Sequence, residues 1–484
     1  MVLAAGVLVA GWLIRQEAVE SEDLQQVHSE GDSSFTAGSR PSFLLVSIDT
    51  LRADHMSLYG YSRPTTPNID AWARDAVVFE RAYATADSTA MSVTSMLTGM
   101  LPQDHGVRKL YQKIPIETPT VADRLSGVGY QTAAVVSNIV LTSEATGLDG
   151  RFDHYDDYID ETLGPRTFWE RRASRTTDAA LAWLVRRLDP GRPHFLWVHY
   201  MDPHGPYSPP EDQPTDFTHA TPVPIVADRT PEYFMEPGIT DAEEYVDRYD
   251  EEIAYADREV GRLLNGYAEI VGSDSSLIIL TADHGEAMID RERWFAHGFH
   301  IFEELTHVPL LLRGPGAEPR RIPHLVSVAD VAPTLYKAAG LTYHSDSFGR
   351  PLDEAAAGRS VFSETDGGLY GRRAMWQGDD KWAVQVGYSR LRGAARKFLF
   401  RIGFRTQPRL SEAAFHDLAA DPREQAPSPI APTDLPAELH HLIEEDDNFW
   451  LDHEADGSQP DLPKVAPDLD AKALERLRSL GYVQ

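Results

Sequence analysis

The segment SLIILTADHGE, residues 276–286, is the most informative part of this chain, because an uninterrupted apolar run ends abruptly in acidic and imidazole side chains. A second run, FLLVSI at residues 43–48, ends in the same way at Asp49. Short apolar runs rich in β-branched residues, without polar alternation, are typical of strands buried on both faces of a parallel sheet. Ligands of such sheets bind beyond the carboxyl ends of the strands. We therefore expect Asp49, Asp283 and His284 to meet at one sheet edge and to hold a metal ion.

The rest of the pattern predicts an α/β fold. Further apolar runs predict strands at 131–136, 194–198 and 308–312. They alternate with helices predicted at 67–76, 90–98, 119–127, 174–187, 246–265 and 327–339. Such alternation indicates a mainly parallel central sheet with helices on both faces. Residues 205–240, rich in proline and acidic side chains, are interpreted as a long loop.

Composition divides the chain into four parts. Residues 41–340 are predicted to form the large α/β domain, and residues 341–425 a small α+β domain with short antiparallel strands, including runs near 373–376, 381–386 and 397–400. Residues 426–484 are interpreted as an acidic, proline-rich connector that ends in a short amphipathic helix at 469–480.

The first 40 residues contain an apolar segment, 2–14, followed by an acidic, Ser/Gly-rich tether. We favour a signal sequence or anchor whose true start lies upstream, and an ordinary N-terminal helix is the alternative. The favoured interpretation predicts an exported, periplasmic or otherwise extracytoplasmic protein with N-terminal membrane association.

Charge and cysteine content exclude several classes of function. The 484 residues include 75 acidic and 45 basic side chains, for a net charge of -30, which excludes nucleic acid as a partner because phosphate backbones need a basic face. The chain contains no cysteine, so disulfides, zinc–cysteine sites and a cysteine nucleophile are excluded. An anionic substrate must therefore be held locally, by a metal ion or by helix N-termini.

The predicted ligand set suits one divalent cation. Carboxylate oxygens favour calcium or magnesium, and an imidazole shifts the preference toward manganese or zinc. Taken singly, Asp49 is better explained as a strand-end residue that caps the next turn, and His284 as a hydrogen-bonded loop histidine. Together, at two strand ends, they favour the metal interpretation.

Thr89 directly precedes the predicted helix 90–98. As its N-cap, it would place a hydroxyl among free backbone N–H groups at the positive end of the helix, where an oxyanion binds readily. A hydroxyl beside a divalent cation loses its proton more easily and becomes a nucleophile. The alternative is that Thr89 only caps the helix, and Ser88 and Ser92 compete with it for the catalytic role.

Histidines follow the predicted strand ends in two places, WVHYMDPHGPY at 197–207 and FAHGFH at 295–300. A histidine near an oxyanion can stabilise charge or protonate a leaving oxygen. We predict this catalytic role for His204 and His297. Weaker candidates, predicted to bind substrate, are Arg108, Asn138, His199 and His300.

Seven stretches of the chain resemble, in order, the sulfatase family of the alkaline-phosphatase superfamily. They are SFLLVSIDTLRADHMSLYGYSRPTTPNIDAWA, SMLTGMLPQDHGV, FLWVHYMDPHGPYSPP, LIILTADHGEA, HGFHIFEELTHVPLLLRGPG, FHDLAADPRE and LRSLGY. The resemblance implies an alkaline-phosphatase-like α/β domain followed by a small four-stranded antiparallel domain packed with a helix. It also implies that Asp49, Asp283 and His284 bind the metal, that His204 contacts the oxyanion or leaving group, and that His297 lies near the substrate.

Three departures from the family pattern concern the reacting groups. Thr50 stands where sulfatases have a second aspartate, and Asn138 and Gly298 lie at or near positions that usually carry lysines. Thr89 stands where a cysteine or serine is oxidised to formylglycine, and the proline and arginine of that signature are absent. Threonine cannot form the aldehyde. A threonine nucleophile instead resembles the phosphoryl-transfer branches of the superfamily, where it forms a covalent phospho-enzyme.

These observations predict a metal-dependent hydrolase of sulfate or phosphate esters that uses a threonine nucleophile and a covalent intermediate. The substrate would be the ester of a small molecule, a glycan or a lipid head group. One alternative is a phosphoethanolamine- or phosphoglycerol-type transferase acting on envelope glycans or lipids. Another is a catalytically silent protein that binds anionic glycans.

Overall fold

The computed structural model describes residues 40–159, 161–163, 168–211, 217–272, 275–343, 348–366, 370–387 and 409–444. The predicted N-terminal segment and tether, the strand near 397–400 and the helix at 469–480 lie outside them. The strands are β1 (Ser42–Ile48), β2 (Val77–Tyr83), β3 (Gln131–Val136), β4 (His154–Asp156), β5 (Glu161–Leu163), β6 (Phe168–Glu170), β7 (His194–Tyr200), β8 (Ser276–Ala282), β9 (His307–Arg313), β10 (Arg320–Ser327), β11 (Ser360–Asp366), β12 (Tyr370–Gln377), β13 (Asp380–Gly387), β14 (Arg409–Asp417) and β15 (Ser428–Pro429). The helices are α1 (Pro67–Ala73), α2 (Thr89–Thr98), α3 (Pro102–His105), α4 (Val121–Gly127), α5 (Ser143–Thr146), α6 (Ala173–Arg186), α7 (Glu243–Val271), α8 (Glu303–Thr306) and α9 (Val331–Ala338), with a further helical stretch at 437–444.

A mostly parallel sheet of eight strands, in the order β10-β2-β9-β8-β1-β7-β3-β4, forms the centre of the fold. The central strand β1 pairs in parallel with β7 on one side and β8 on the other, and all three are buried along nearly their whole length. In this register Ile48 is opposite both Tyr200 and Ala282. The residues that follow each strand therefore emerge side by side, which brings Asp49 next to Asp283.

On its β10-β2-β9 side, the central sheet differs from the predicted sheet in two ways. Strand β9 runs antiparallel to both β8 and β2, so the sheet is mixed. Strands β2 and β10 are absent from the sequence prediction because charged residues interrupt their apolar pattern, with Arg320 and Arg321 exposed at the start of β10. The α/β class with a mainly parallel central sheet is confirmed.

Helix boundaries shift by a few residues from the predicted ones. Helix α4 begins at Val121 rather than 119 because Thr120 and Asp123 form a reciprocal capping box. Helix α7 extends six residues beyond the predicted end at 265, to Val271, and it packs against α6 and α1. Among the described residues, no helix is both long and apolar enough to cross a bilayer.

A second, antiparallel sheet has the order β11-β12-β13-β14-β15. Its fifth strand, β15, contains only two residues and accounts for the difference from the four strands that the family resemblance implies. Leu439 and Ile443 of the helical stretch 437–444 are buried against this sheet beside Met375 and Val384. Part of the segment interpreted as a connector from the sequence is therefore packed on the small sheet.

Both sheets belong to one structural unit that begins at Pro41. A buried ion network joins them. The Lys381 ammonium lies 2.8 Å from the Glu424 carboxylate and 3.3 Å from Glu303, and its side chain is 1% exposed. Lys381 also donates to the Ile301 carbonyl oxygen at 2.7 Å. Lys381 belongs to β13 of the small sheet, and Glu424 lies in the turn after β14. Glu303 begins α8, the short helix directly before β9 of the central sheet, so these bonds fix the small sheet to the central sheet.

Candidate metal centre and active site

Asp49, Asp283 and His284 converge at the carboxyl ends of β1 and β8. One ligand atom from each lies within 4.8 Å of the others, and all three residues are fully buried. Oδ1 of Asp49 and Oδ2 of Asp283 have no hydrogen-bond partner among the described residues. Buried carboxylate oxygens without partners are costly, and a divalent cation between them would remove that cost. The donor set of two carboxylates and one imidazole therefore fits a metal ion.

Hydrogen bonding sets His284 in the form that binds metals. Its Nδ1 lies 2.8 Å from the carbonyl oxygen of Gly285, which can only accept, so Nδ1 carries the proton. In the neutral ring Nε2 then carries the lone pair. This atom lies 3.6 Å from Asp283 Oδ2 and 3.8 Å from Asp49 Oδ1. A neutral imidazole whose second nitrogen is bonded to a carbonyl is a common arrangement for a metal ligand.

The turn after β8 requires the glycine of the DHG motif. A Cβ added at Gly285 would lie 2.1 Å from the carbonyl oxygen of Glu304. The Gly285 N–H donates to the Leu305 carbonyl oxygen at 2.9 Å. This close backbone approach fixes the direction in which His284 leaves the sheet.

Asp49 is held by side chains from two neighbouring strands. His199 Nε2 lies 3.3 Å from Asp49 Oδ2, and Asn138 Nδ2 also donates to that oxygen. His199 Nδ1 is in turn 2.8 Å from the hydroxyl of Ser47. The sequence predicts substrate contact for His199 and Asn138, whereas in the structure their side chains support Asp49.

The pKa values of the Asp49 and Asp283 carboxyls shift in opposite directions. Burial raises the pKa of each. For Asp49, the hydrogen bond from His199 and the charges of His204 and His284 outweigh burial, so its pKa falls well below the usual range. For Asp283, burial together with the charge of Asp49 leaves the pKa raised. The pair therefore carries electrostatic strain that a cation would relieve.

Thr89 is the first residue of α2, and Ser88 is its N-cap. The predicted N-cap position of Thr89 is therefore wrong by one residue. The Thr89 hydroxyl is nevertheless buried at the centre, with Oγ1 3.2 Å from His284 Nε2. Ser92, one turn further on, donates to the Asp283 carbonyl oxygen at 2.6 Å and ties the start of the helix to the end of β8.

Two histidines complete the site. The rings of His204 and His297 contact each other, with centroids 5.0 Å apart, and His297 also contacts His284 at 4.6 Å. His297 Nδ1 lies 3.1 Å from the carboxylate of Glu286. Burial lowers the pKa of His297, but the charge and hydrogen bond of Glu286 outweigh it and raise the pKa to about 9.

His204 differs because its Nδ1 donates to a backbone carbonyl, that of Gly205, at 2.7 Å. Burial is the largest influence on His204 and lowers its pKa. The pKa values of the two contacting rings therefore shift in opposite directions, that of His297 upward and that of His204 downward.

The remaining weak candidates do not converge on the metal ligands. Arg108 Nη1 forms a buried ion pair with Glu364 at 2.8 Å. The ring of His300 stacks on Phe302 with centroids 4.5 Å apart, and its backbone N–H donates to Asp87 at 2.9 Å. The sequence prediction of substrate contact for Arg108 and His300 therefore has no counterpart in these contacts.

Sequence reasoning missed two acidic residues at the site. Glu286 orients His297, and its position within the DHGE motif is the only signal that could have indicated it. Asp87, two residues before Thr89, is fully buried, and burial raises its pKa. Nothing in its local sequence distinguishes it from a loop aspartate.

The fold belongs to the alkaline-phosphatase-like class, in which a mostly parallel central sheet is accompanied by a small antiparallel sheet. Solved structures agree on the fold. A protein of the alkaline phosphatase superfamily from Vibrio parahaemolyticus superimposes with a TM-score of 0.59 at 17% identity, covering 87% of this chain and 89% of that one. The phosphonate monoester hydrolase of Agrobacterium radiobacter gives a TM-score of 0.61 at 20% identity, covering 86% of this chain and 96% of that one.

The chain belongs to the sulfatase family, since the Sulfatase family model matches residues 41–341. The arylsulfatase of Clostridium perfringens is 24% identical over 375 residues, which cover 63% of this chain and 76% of the relative. The family resemblance predicted from the sequence motifs is thus confirmed.

Proposed function

We propose that the protein hydrolyses sulfate or phosphate esters through a covalent intermediate on Thr89, at a centre where Asp49, Asp283 and His284 hold one divalent cation. The observation that carries this proposal is the position of the Thr89 hydroxyl, which is buried and 3.2 Å from the Nε2 atom of His284. Similarity to an arylsulfatase supports sulfate esters, and similarity in fold to a phosphonate monoester hydrolase supports esters of phosphorus.

The chemistry of the ligand set defines what the cation contributes. Two carboxylate oxygens and an imidazole nitrogen suit manganese, zinc, magnesium or calcium. When bound, such an ion lowers the pKa of a neighbouring hydroxyl and neutralises negative charge on the substrate. His199 and Asn138 orient Asp49 for this role, and the Gly285 turn orients His284.

The first step transfers the sulfuryl or phosphoryl group to the protein. Thr89 releases its hydroxyl proton to solvent, and its Oγ1 forms a bond to the sulfur or phosphorus atom while the bond to the leaving oxygen breaks. His297, whose Nδ1 is held by Glu286, donates a proton to that leaving oxygen. The backbone N–H groups at the start of α2 face the oxyanion and stabilise its charge.

The second step releases the product. Water attacks the sulfur or phosphorus atom and gives a proton to His204, whose Nδ1–H is fixed on the Gly205 carbonyl so that Nε2 is the accepting atom. The bond to Thr89 Oγ1 breaks, and Thr89 recovers a proton from solvent. His204 then loses its proton to solvent and His297 regains one from solvent, which restores the starting state. If an alcohol takes the place of water, the same step produces transfer instead of hydrolysis.

The proposal is tested with 4-nitrophenyl sulfate, 4-nitrophenyl phosphate and a phosphonate monoester, each assayed with manganese, zinc, magnesium and calcium. We expect Thr89→Ala to lower kcat by about 10³-fold or more with unchanged circular dichroism and metal content. Thr98→Ala is the matched control, because Thr98 is a buried threonine at the other end of the same helix, and its hydroxyl bonds only backbone groups, donating to the Thr94 carbonyl oxygen and accepting from the Met100 N–H. Activity of Thr89→Ala equal to that of Thr98→Ala would exclude the covalent scheme. Adding glycerol as an acceptor separates hydrolysis from transfer.

A further inference from the structure

The small antiparallel sheet is bonded to the segment just before Thr89, the proposed nucleophile. Ala86 forms a parallel β-bridge with Glu364 of β11, and the Glu364 N–H donates to the Thr85 carbonyl oxygen at 2.9 Å. The next residues along the two segments, Asp87 and Thr365, therefore lie side by side. Since Asp87 is two residues before Thr89, this edge of the small sheet borders the active site.

Arg372 lies on β12, the strand next to the edge strand β11. It is the direct cross-strand partner of Thr365 in the antiparallel pair β11/β12. Directly opposed residues project their side chains from the same face, with Cβ atoms about 5 Å apart. The adjacent Arg373 projects from the other face, where it forms a buried 2.9 Å ion pair with Glu364. Arg372 therefore lies on the same face of the small sheet as Thr365, the neighbour of Asp87.

The charge of Arg372 is weakly compensated. Its side chain is 28% exposed, and its carboxylate partner within ion-pair range among the described residues is Glu412, at 3.4 Å and itself 66% exposed. Exposed pairs of this kind contribute little. Burial and the nearby charge of Arg293 lower the pKa of Arg372, while Glu412 and Asp87 act in the opposite direction.

Arg293 provides the second cation. Its guanidinium lies 5.1 Å from the ring centroid of Phe299 and, in the part of the chain that the structure describes, no carboxylate lies within 4 Å of it. Burial and the charges of Arg372, Arg291 and Arg293 lower the pKa of His300 to about 3. The Phe299 ring under Arg293 contacts the ring of His300, with centroids 5.5 Å apart, and the His300 backbone N–H donates to Asp87, so this contact chain places Arg293 near the Asp87 segment.

Two neighbouring guanidinium groups with little carboxylate compensation repel each other, and an anion bound between them removes that repulsion. The chain has a net charge of -30, yet this cationic pair borders the proposed ester-cleaving site. We propose that Arg293 and Arg372 bind a second anionic group of the substrate, a carboxylate, sulfate or phosphate carried by the alcohol part of the ester. This inference rests on the proposed function for the position of the scissile group.

Turnover provides the first test. The substrates are 4-nitrophenyl esters, either plain or with a carboxylate attached to the ring directly or through one to three methylene groups, and the protein is the metal-loaded full chain. We expect wild type to prefer at least one carboxylated ester. We expect Arg372→Met and Arg293→Met each to lower kcat/KM for the preferred carboxylated ester about 10-fold, mainly by raising KM. The same variants should lower kcat/KM for the plain ester less than about 3-fold.

Two control variants define the specificity of this effect. Arg372→Lys should retain part of the preference, since it keeps the charge. Arg262→Met removes an arginine that pairs with Asp178 on the helices α6 and α7, and it should leave the preference unchanged. Equal losses for plain and carboxylated esters, or no preference in wild type, would overturn the inference.

A binding measurement tests the same inference without turnover. In titration calorimetry of the metal-loaded wild type, 3-sulfobenzoate should bind at least about 10-fold more tightly than benzenesulfonate, and the difference should disappear in the Arg293→Met/Arg372→Met double variant. If the difference is found but no ester is hydrolysed, the proposed function fails and the second anion site stands. If esters are hydrolysed but the two ligands bind equally, the second anion site fails.

Discussion

Replacing Asp283 by asparagine should have opposite effects on stability in the absence and in the presence of metal. Asparagine has the shape of aspartate, and its amide oxygen can still accept the hydrogen bonds that Oδ1 receives from the N–H groups of Thr50, at 3.3 Å, and His284, at 2.9 Å. The substitution therefore removes one buried charge beside Asp49 and changes little else. In metal-free protein we expect Asp283→Asn to be more stable than wild type.

The magnitude follows from the distance between the ligand atoms. Unit charges 4.8 Å apart, the upper limit within this cluster, repel by about 3.5 kcal/mol at an effective dielectric constant of about 20. Protonation of Asp283, whose pKa is raised by burial and by Asp49, relieves part of this repulsion. We therefore expect a gain of about 1–3 kcal/mol at pH 8. The gain should become smaller as the pH falls toward the range in which Asp283 takes up a proton.

Metal reverses the order. A cation present at 1,000 times its dissociation constant stabilises wild type by about 4.1 kcal/mol, which exceeds the metal-free gain of the variant, whereas a site without the Asp283 charge gains far less from metal. Thermal unfolding is measured with a chelator and with saturating manganese. Asp178→Asn, which removes an exposed carboxylate far from the cluster, is the control that should follow wild type in both conditions. The reasoning is refuted if Asp283→Asn gains as much stability from metal as wild type does, or if it is the less stable protein without metal.

Three further changes have defined outcomes. Thr89→Ser should keep a measurable rate, since it retains the nucleophilic hydroxyl, and steady-state kinetics that match Thr89→Ala would contradict this. Lys381→Met should cost about 3–5 kcal/mol of unfolding free energy, because it leaves the fully buried Glu424 carboxylate without its 2.8 Å partner; Lys381→Met/Glu424→Gln should recover most of the loss in denaturant unfolding. His219→Gln should destabilise the protein at pH 6 and have a smaller effect at pH 9. The two carboxylates bonded to His219 raise its pKa, so its contribution is complete below the unfolded pKa of about 6.5 and is lost as the pH rises through the raised value. An equal effect at both pH values would exclude this role.

The cluster of Asp49, Asp283 and His284 could be expected from the sequence because it depends only on where parallel strands end in a sheet. The apolar runs before Asp49 and Asp283 predict parallel strands, and parallel strands deliver the residues after them to the same edge. In the structure Ile48 lies opposite Ala282, so β1 and β8 end at the same level and Asp49 and Asp283 follow side by side, as predicted. The strand at 131–136 is likewise observed with the predicted bounds, since it is buried and apolar along its length.

The supporting residues could not be predicted in the same way. His199 is one residue before the end of β7, and only the pairing of β7 with β1 shows that it bonds Asp49. The contact of Glu286 with His297 and the burial of Asp87 depend on the folded chain, and the only local signal is the position of Glu286 within the DHGE motif. The one-residue shift of Thr89 from N-cap to first helical position lies within the usual uncertainty of helix ends.

The small sheet illustrates a different limit. Its strands carry many charged residues, so hydrophobic pattern alone gives little indication of where β11 and β14 begin. Lys381 and Glu424 read as surface residues in the sequence, yet they are buried, because each is the partner of the other. Long-range ion pairs of this kind become visible only once the chain is folded.

The central claim is that one cation is shared by side chains from β1 and β8, with the Thr89 hydroxyl as its neighbour. Anomalous diffraction from manganese-soaked crystals tests it directly. We predict a single strong peak within about 2–2.5 Å of oxygens of Asp49 and Asp283 and of Nε2 of His284, with Thr89 Oγ1 facing it. A peak elsewhere in the protein with none between these side chains, or a Thr89 hydroxyl turned away from the ion, would contradict the account.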